Sequence, residues 1–534
     1  MQHQEIDALV IGAGFGGLYQ VYRLREAGFS VQGVDSAPEV GGTWYWNCYP
    51  GARVDSPSYV YQYWFSEELL ADWEWSQRYP PQPELERYLN HVADRFDLRK
   101  HFSMSTRVDE AHWDAASARW QVHLSNGQRV DARFLVCCSG ILAEPQIPSF
   151  EGRDSFSGTL VHSSRWPREG LDLKGKRVAV VGTGATGIQI IQSIAADVAE
   201  LKVFQRTAPY GIKMRNPTFD DAARDQWRAR YPELRETVPN TTSGFEFSAL
   251  YEEGVWPTLS ADERREAMEK IWADGSLAFW VGLAPEIGAD PHANAEVADF
   301  VREKIRARIH DPKVADMMTP TTPFGIARVP LENGFYEVFN QSNVELIDAR
   351  ANPITRLTPS GLVAGDTEYE VDVIVLATGF DASTGALAAI DIRGTDGQSL
   401  RELWANDIRS AMGLQVHGFP NLFTVPGPLS PGSALCNAAT CLQQTVDWVT
   451  DCLKTLREQG HTQIEPTREV EDAWIAHHEE IVAMTLFPQS QSWYMGANVE
   501  GKPRRLISYA GGVGEYKRQC DELAANGYPG FDIR

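Results

Sequence analysis

Two glycine fingerprints, each set between a short apolar run and a helical pattern, limit what this 534-residue chain can fold into. The first run, Asp7-Ala-Leu-Val-Ile11, stops at Gly12-Ala-Gly14-Phe15-Gly-Gly17. Leu18, Val21 and Leu24 then recur at helical spacing, and Ser30-Val-Gln-Gly-Val34 ends at Asp35. The same order returns at Arg177-Val-Ala-Val-Val181, Gly182-Thr183-Gly184-Ala185-Thr186-Gly187, Ile188 and Ile191, and Leu201-Lys-Val-Phe204. Short unbroken apolar runs mark strands buried on both faces of a parallel sheet. Two β-α-β nucleotide units are predicted. Each is answered by a later strand with a small-residue end, Arg133–Gly140 and Val371–Gly379, where glycine lets the backbone run close to a nucleotide.

In such a fingerprint the first glycine permits the tight turn, the second admits a pyrophosphate and the third lets helix and strand pack closely. The helix N-terminus adds free N–H groups and a partial positive charge. Asp35, 18 residues after Gly17, suits ribose hydroxyls, and the first unit reads as an FAD site. The second has no acid at that place but Arg206, 19 residues after Gly187. A guanidinium suits a 2′-phosphate, so that unit reads as binding NADPH. The predicted fold class is α/β: two Rossmann-like dinucleotide-binding domains, for FAD and NADP, with a helical insertion. The charged, helix-forming composition between about 220 and 315 is the insertion. The expected segments are 1–143 and 380–534 for the FAD-binding domain, 144–214 and 326–379 for the NADP-binding domain, and 215–325 for the insertion.

Composition narrows the setting. The chain exceeds the roughly 250 to 300 residues at which single cores stop growing. A net charge of −23 speaks against nucleic acid and anionic membrane surfaces as partners. Seven scattered cysteines with no Cys-x-x-Cys pair argue against a disulfide framework, a metal site and a dithiol redox centre. The start lacks a basic leader, and no apolar stretch nears the ~20 residues of a spanning helix, so a cytoplasmic protein is expected, and a monomer is the expected state. Two nucleotides on one chain imply hydride transfer from nicotinamide to flavin. Reductases of this build use a cysteine pair, so an oxygen-reacting monooxygenase is favoured by elimination. A flavin-bearing binding or sensor protein is the alternative of another class.

Two segments are more specific. Phe156-x-Gly158-x-x-x-His162-x-x-x-Trp166-Pro167 precedes the second fingerprint, and Gly41-Gly42-Thr43-Trp44-Tyr-Trp-Asn-Cys48-Tyr49-Pro50-Gly51-Ala-Arg-Val-Asp55 lies beyond the first unit. Both resemble signatures of type I Baeyer–Villiger monooxygenases. The resemblance implies that a ketone and molecular oxygen give an ester or lactone through a flavin C4a-peroxide anion. Arg328 matches the family's catalytic arginine, which also contacts cofactor, and Asp55 the carboxylate that orients it. A peroxide anion needs a fixed cation that keeps its proton, and arginine is that residue. Trp493 matches the tryptophan at the bound nicotinamide cofactor.

The resemblance further places Thr43, Trp44 and Tyr61 at FAD, with Phe15, Gly42 and Val108 as cofactor-binding positions. Thr183, Ala185, Thr186 and Thr207 complete the second site. Ser433, Ala434 and Leu435, in the loop Gly427–Asn437, match the substrate-lining segment. His162 matches a position between the nucleotide domains, so it reads as a hinge residue rather than a base. The family usually has Lys-Arg where this chain has Ala327-Arg328, and that lysine helps hold the 2′-phosphate. Its loss predicts NADPH binding weaker by about 1–2 kcal/mol and a relaxed preference over NADH. Cys48 stands where arginine is common, and Asp35 where glutamate is usual. A sulfur- or nitrogen-oxidising flavin monooxygenase is the alternative within the same chemistry.

Overall fold

A computed structural model describes residues 3–534; residues 1 and 2 of the expected first segment lie outside it. β1 (His3–Ile11) and β2 (Val31–Val34) run parallel on either side of helix Phe15–Glu26. β3 (Phe102–Ser103) extends the sheet beyond β2. β4 (Val108–Asp114), β5 (Arg119–Leu124) and β6 (Arg129–Cys137) form an antiparallel meander whose last strand lies parallel to β1. The apolar half of β1 supplies Ala8, Leu9 and Val10, all fully buried. Each such Leu or Val contributes about 1.5–3 kcal/mol against exposure.

The second sheet opens with β7 (Thr159–His162), β8 (Arg177–Val181) and β9 (Glu200–Gln205), with helix Ala185–Ile194 between β8 and β9. β10 (Ile212–Lys213) leads out into a helical region. Asp220 and Asp290 cap helices Asp221–Thr237 and Pro291–Arg306, and a Ser260–Glu263 capping box starts Ala261–Asp274. β11 (Leu331–Glu332) returns parallel to β10, so the excursion leaves and re-enters at one place.

β12 (Val344–Asp348) then pairs with β9. Next comes an antiparallel ribbon of β13 (Ile354–Thr358), β14 (Gly361–Ala364) and β15 (Thr367–Glu370). β16 (Val373–Leu376) inserts between β8 and β7, giving the parallel order β12-β9-β8-β16-β7. Beyond it, β17 (Asp391–Arg393) pairs with β4 and β18 (Leu422–Thr424) with β6, so the chain rejoins the first sheet. No helix among the described residues is long and apolar enough to cross a membrane.

The cysteine spacing argued against a disulfide framework, and the described residues hold none: one local bond joins Cys436 and Cys441, while the other five cysteines are free. The chain turns into helix Ala438–Gln459 at Asn437, and that turn brings the two sulfurs together.

Candidate active site

Both fingerprints form the same cradle. Gly12 and Gly182 adopt φ of +109° and +108°, which favours glycine. A Cβ on Gly12 would lie 2.3 Å from the Cys138 carbonyl oxygen, and one on Gly182 2.5 Å from that of Ala377. These are the small-residue strand ends predicted to answer each fingerprint. Gly14 and Gly184 head their helices without a side-chain cap, leaving the first-turn N–H groups for an anion. Gly17 and Gly187 press against the turn carbonyls of Gly12 and Gly182.

At the first cradle, Asp35 accepts the Ala13 N–H at 2.6 Å and the Ala37 N–H at 2.7 Å, which fixes the carboxylate beside the glycine turn. Each oxygen keeps a lone pair for a ribose hydroxyl. Thr106 N–H donates to the Asp35 carbonyl, and two residues on Val108 is packed into the sheet core with Ile11 and Val34. Gly42 touches Gly14 backbone to backbone, and the turn Thr43–Trp46 starts there. The Trp44 indole donates to the Tyr61 hydroxyl at 3.2 Å, and Phe15 meets Tyr61 edge-on. Phe15, Gly42, Thr43, Trp44 and Tyr61 thus converge beside the pyrophosphate cradle, and the arrangement fits a dinucleotide.

At the second cradle, Thr183 Oγ1 donates to the Thr207 carbonyl at 3.3 Å, tying the glycine loop to the end of β9. Ala185 and Thr186 begin the helix whose Gln189 accepts from the Tyr49 hydroxyl and donates to the Arg53 carbonyl. Gly51 lies so close that a Cβ would fall 2.0 Å from Ser193 Oγ. The segment from Gly41 to Asp55 therefore spans the two cradles. This explains why one unbroken stretch carries so many special residues.

The stretch ends at Asp55. Its Oδ2 accepts from Arg328 Nη2 at 3.0 Å, in a pair whose side chains are 5% and 28% exposed. Leu331 N–H donates to the same oxygen, whereas the buried Oδ1 has no partner within the protein. Burial pushes the Asp55 carboxyl above its ordinary value, although Arg328 opposes this. Burial works against the Arg328 charge, but Asp55 outweighs it and the guanidinium is held above its ordinary value. Arg328 is a permanent, oriented cation.

Sequence reasoning missed two neighbours of this cation. Trp280, from the insertion, places its ring 5.5 Å from the guanidinium carbon and donates its indole N–H to the Gly325 carbonyl. Tyr494 is fully buried, with its hydroxyl beside the Arg328 guanidinium. Burial pushes its phenol up to about 12 against the nearby Arg328 charge. With sixteen tryptophans in the chain, nothing marked Trp280; Tyr494 was signalled only by standing beside Trp493.

Trp493 meets Tyr494 edge-on at 4.4 Å. Ala434 and Leu435 pack against the same group, which includes Trp280. Ser433 is buried and donates to the Gly427 carbonyl at 2.7 Å, pinning the loop. The structure thus gathers Asp55, Arg328, Tyr494, Trp493 and the loop Gly427–Asn437 in one region. Arg206 and Thr207 lie elsewhere, just past the end of β9 in the second sheet.

His162 takes no part in this cluster. Its Nδ1 accepts from Ser164 N–H and its Nε2 faces the Gly379 carbonyl at 3.2 Å, so the proton sits on Nε2. Burial lowers its pKa to about 4. It is a neutral tie between β7 and the end of β16.

A flavin-binding monooxygenase-like family model matches residues 6–214. Acetone monooxygenase (methyl acetate-forming) of Gordonia sp. (strain TY-5) is 49% identical over the full length of both chains. A crystal structure of the OTEMO complex with FAD and NADP superposes with a TM-score of 0.95 at 39% identity over 99% of each chain. The closed crystal structure of cyclohexanone monooxygenase gives 0.96 at 37% identity over all of both chains. With the paired cradles, the spanning segment and the anchored arginine, these likenesses leave one assignment: this chain belongs to the type I Baeyer–Villiger monooxygenase family.

Proposed function

We propose that this chain binds FAD in the Gly12–Gly17 cradle and NADPH in the Gly182–Gly187 cradle, and inserts one oxygen atom beside the carbonyl of a ketone. The flavin, once reduced by the nicotinamide, supplies the activation of molecular oxygen. The protein's part rests on Arg328. A guanidinium fixed by a buried carboxylate stabilises negative charge on oxygen as it adds to the carbonyl, without yielding a proton to it. Asp55 holds the guanidinium in place and takes no proton from substrate. Trp280 and Tyr494 flank the cation, and Trp493 and Leu435 pack in the same apolar group, which excludes water and strengthens the field of the cation. In this reading segments 1–143 and 380–534 make the FAD-binding unit, 144–214 and 326–379 the NADP-binding unit, and 215–325 the insertion.

The observation that carries the reading is the Asp55–Arg328 pair at the end of the segment that spans both cradles. The test is a ketone panel, from acetone through cyclohexanone to an aryl ketone, scored for ester product and for coupling to NADPH. Wild-type protein is expected to form ester. Arg328→Ala should lose it while still oxidising NADPH. Ester formation that survives in Arg328→Ala would remove Arg328 from the chemistry, and sulfide oxidation without any ketone turnover would favour the heteroatom alternative.

A further inference from the structure

β9 and β12 are parallel neighbours, with Gln205 opposite Asp348. The residues just past each strand therefore emerge side by side at the carboxyl edge of the second sheet, the edge at which nucleotides bind. After β9 come Arg206 and Thr207; after β12 come Ala349 and Arg350. Ala349 N–H donates to the Gln205 carbonyl at 2.8 Å and holds the two exits together. Asp348 Oδ1 accepts the N–H groups of Arg350 and Ala351 at 2.8 and 3.1 Å, so this carboxylate serves the backbone turn. Arg350 Nη2 then reaches across to donate to Thr207 Oγ1 at 3.2 Å. Thr207 in turn accepts, through its carbonyl, from Thr183 of the glycine loop.

Two exposed arginines thus flank one threonine at the end of the fingerprint strand. Among the described residues the Arg206 side chain makes no hydrogen bond or ion pair, and the Arg350 side chain makes only its bond to Thr207. In a chain of net charge −23, two exposed arginines at neighbouring strand exits, neither paired with a carboxylate, form a local positive spot. Such a spot acts within a Debye length whatever the charge of the whole. Two planar donor forks and a hydroxyl match the oxygens of a phosphate monoester.

We propose that Arg350 is a second cation of the 2′-phosphate subsite, acting with Arg206 and Thr207. This rests on the reading of Gly182–Gly187 as the NADPH cradle. Its consequence reverses an expectation drawn from sequence: Ala327 does not leave Arg206 as the lone charge there, and preference for NADPH over NADH is retained.

The probes are adenosine 2′,5′-bisphosphate and 5′-AMP, which differ only in the 2′-phosphate, titrated calorimetrically into FAD-loaded protein at low and physiological salt. Arg350→Ala is expected to weaken the bisphosphate on the order of five- to ten-fold and to flatten its salt dependence. It should leave 5′-AMP unchanged, and Arg350→Lys should keep most of the affinity. Bisphosphate binding unchanged in Arg350→Ala but weakened in Arg206→Ala would overturn the proposal and leave the NADPH reading standing. Wild-type protein that binds both probes equally would overturn both. If the loss in Arg350→Ala vanishes in a Thr207→Val background, Arg350 acts only by holding Thr207 and the proposal fails.

Discussion

At the scale of single residues, the proposed chemistry hangs on one hydrogen bond between a buried carboxylate and a partly exposed guanidinium. Asp55 is held above its ordinary carboxylate range by burial, so it takes up a proton at a higher pH than a free aspartate. Falling pH therefore reaches Asp55 before the surface carboxylates. Protonation removes the anion that fixes Arg328, and the guanidinium keeps its charge but loses its place. Ester formation is expected to fall on an acid limb that lies above the usual carboxylate range of about 4. Asp55→Asn keeps an acceptor oxygen while removing the titration. Its rate should be lower throughout and flat across that limb, as read from initial rates of ester formation between pH 5 and 8. An acid limb of the same position in Asp55→Asn would assign the titration to another group.

At the scale of elements, the two glycine loops look alike in sequence but differ in what their glycines touch. A Cβ on Gly187 would fall 2.1 Å from the Gly182 carbonyl oxygen, a clash between backbone segments that cannot swing away. A Cβ on Gly184 meets nothing within 4 Å. Gly187→Ala should therefore destabilise the second unit by about 1–3 kcal/mol, visible as a lower Tm. Gly184→Ala should leave Tm unchanged and weaken NADP+ binding, since its methyl enters the space a pyrophosphate takes. Equal Tm losses in the two variants would refute this distinction.

The same contrast explains what could be read from sequence. A fingerprint is legible because strand, turn and helix constrain one another within about 30 residues. Asp35, Arg206 and the Gly41–Asp55 segment gain their meaning from short spacings of that kind. Trp280, Tyr494 and Arg350 do not. Each acquires its role from a partner far along the chain, as Arg350 does from Thr207, 143 residues earlier. Arg328 and Asp55, 273 residues apart, were legible only through resemblance to a family. The Cys436–Cys441 bond was missed because spacing alone does not show where the chain turns.

At the scale of the molecule, the two nucleotide units and the closing segment are tied together where β16 ends. His162 Nε2 donates to the Gly379 carbonyl, Asn498 donates to the Phe380 carbonyl, and Lys502 grips Asp381 and the Ala382 carbonyl. The segment that carries Trp493 and the Arg328 neighbour Tyr494 is thus anchored on the passage from one sheet to the other. This is where motion between the units would be taken up. A second buried histidine, His478, donates to the Leu506 carbonyl and secures the same closing segment to helix Arg468–Ala483.

Burial lowers both histidines from 6.5 to about 4, so each is neutral in the folded protein. The unfolded chain binds protons at these sites below about pH 6.5, and the folded chain does not until about pH 4. Their contribution to stability is therefore complete above 6.5 and is lost progressively as pH falls from 6.5 to 4. Wild-type Tm should drop between pH 7.5 and 5.5, before most carboxylates titrate. His478→Gln removes one titration while keeping a side-chain donor. Its Tm at pH 7.5 should be somewhat lower, but its fall to pH 5.5 should be smaller than that of wild type. His162→Gln should behave likewise and, because its bond lies on the passage between the sheets, should also change the rate of flavin reduction by NADPH. Equal Tm falls in wild type and both variants would show that neither histidine is buried neutral, and would detach the seam from the acid sensitivity of the protein.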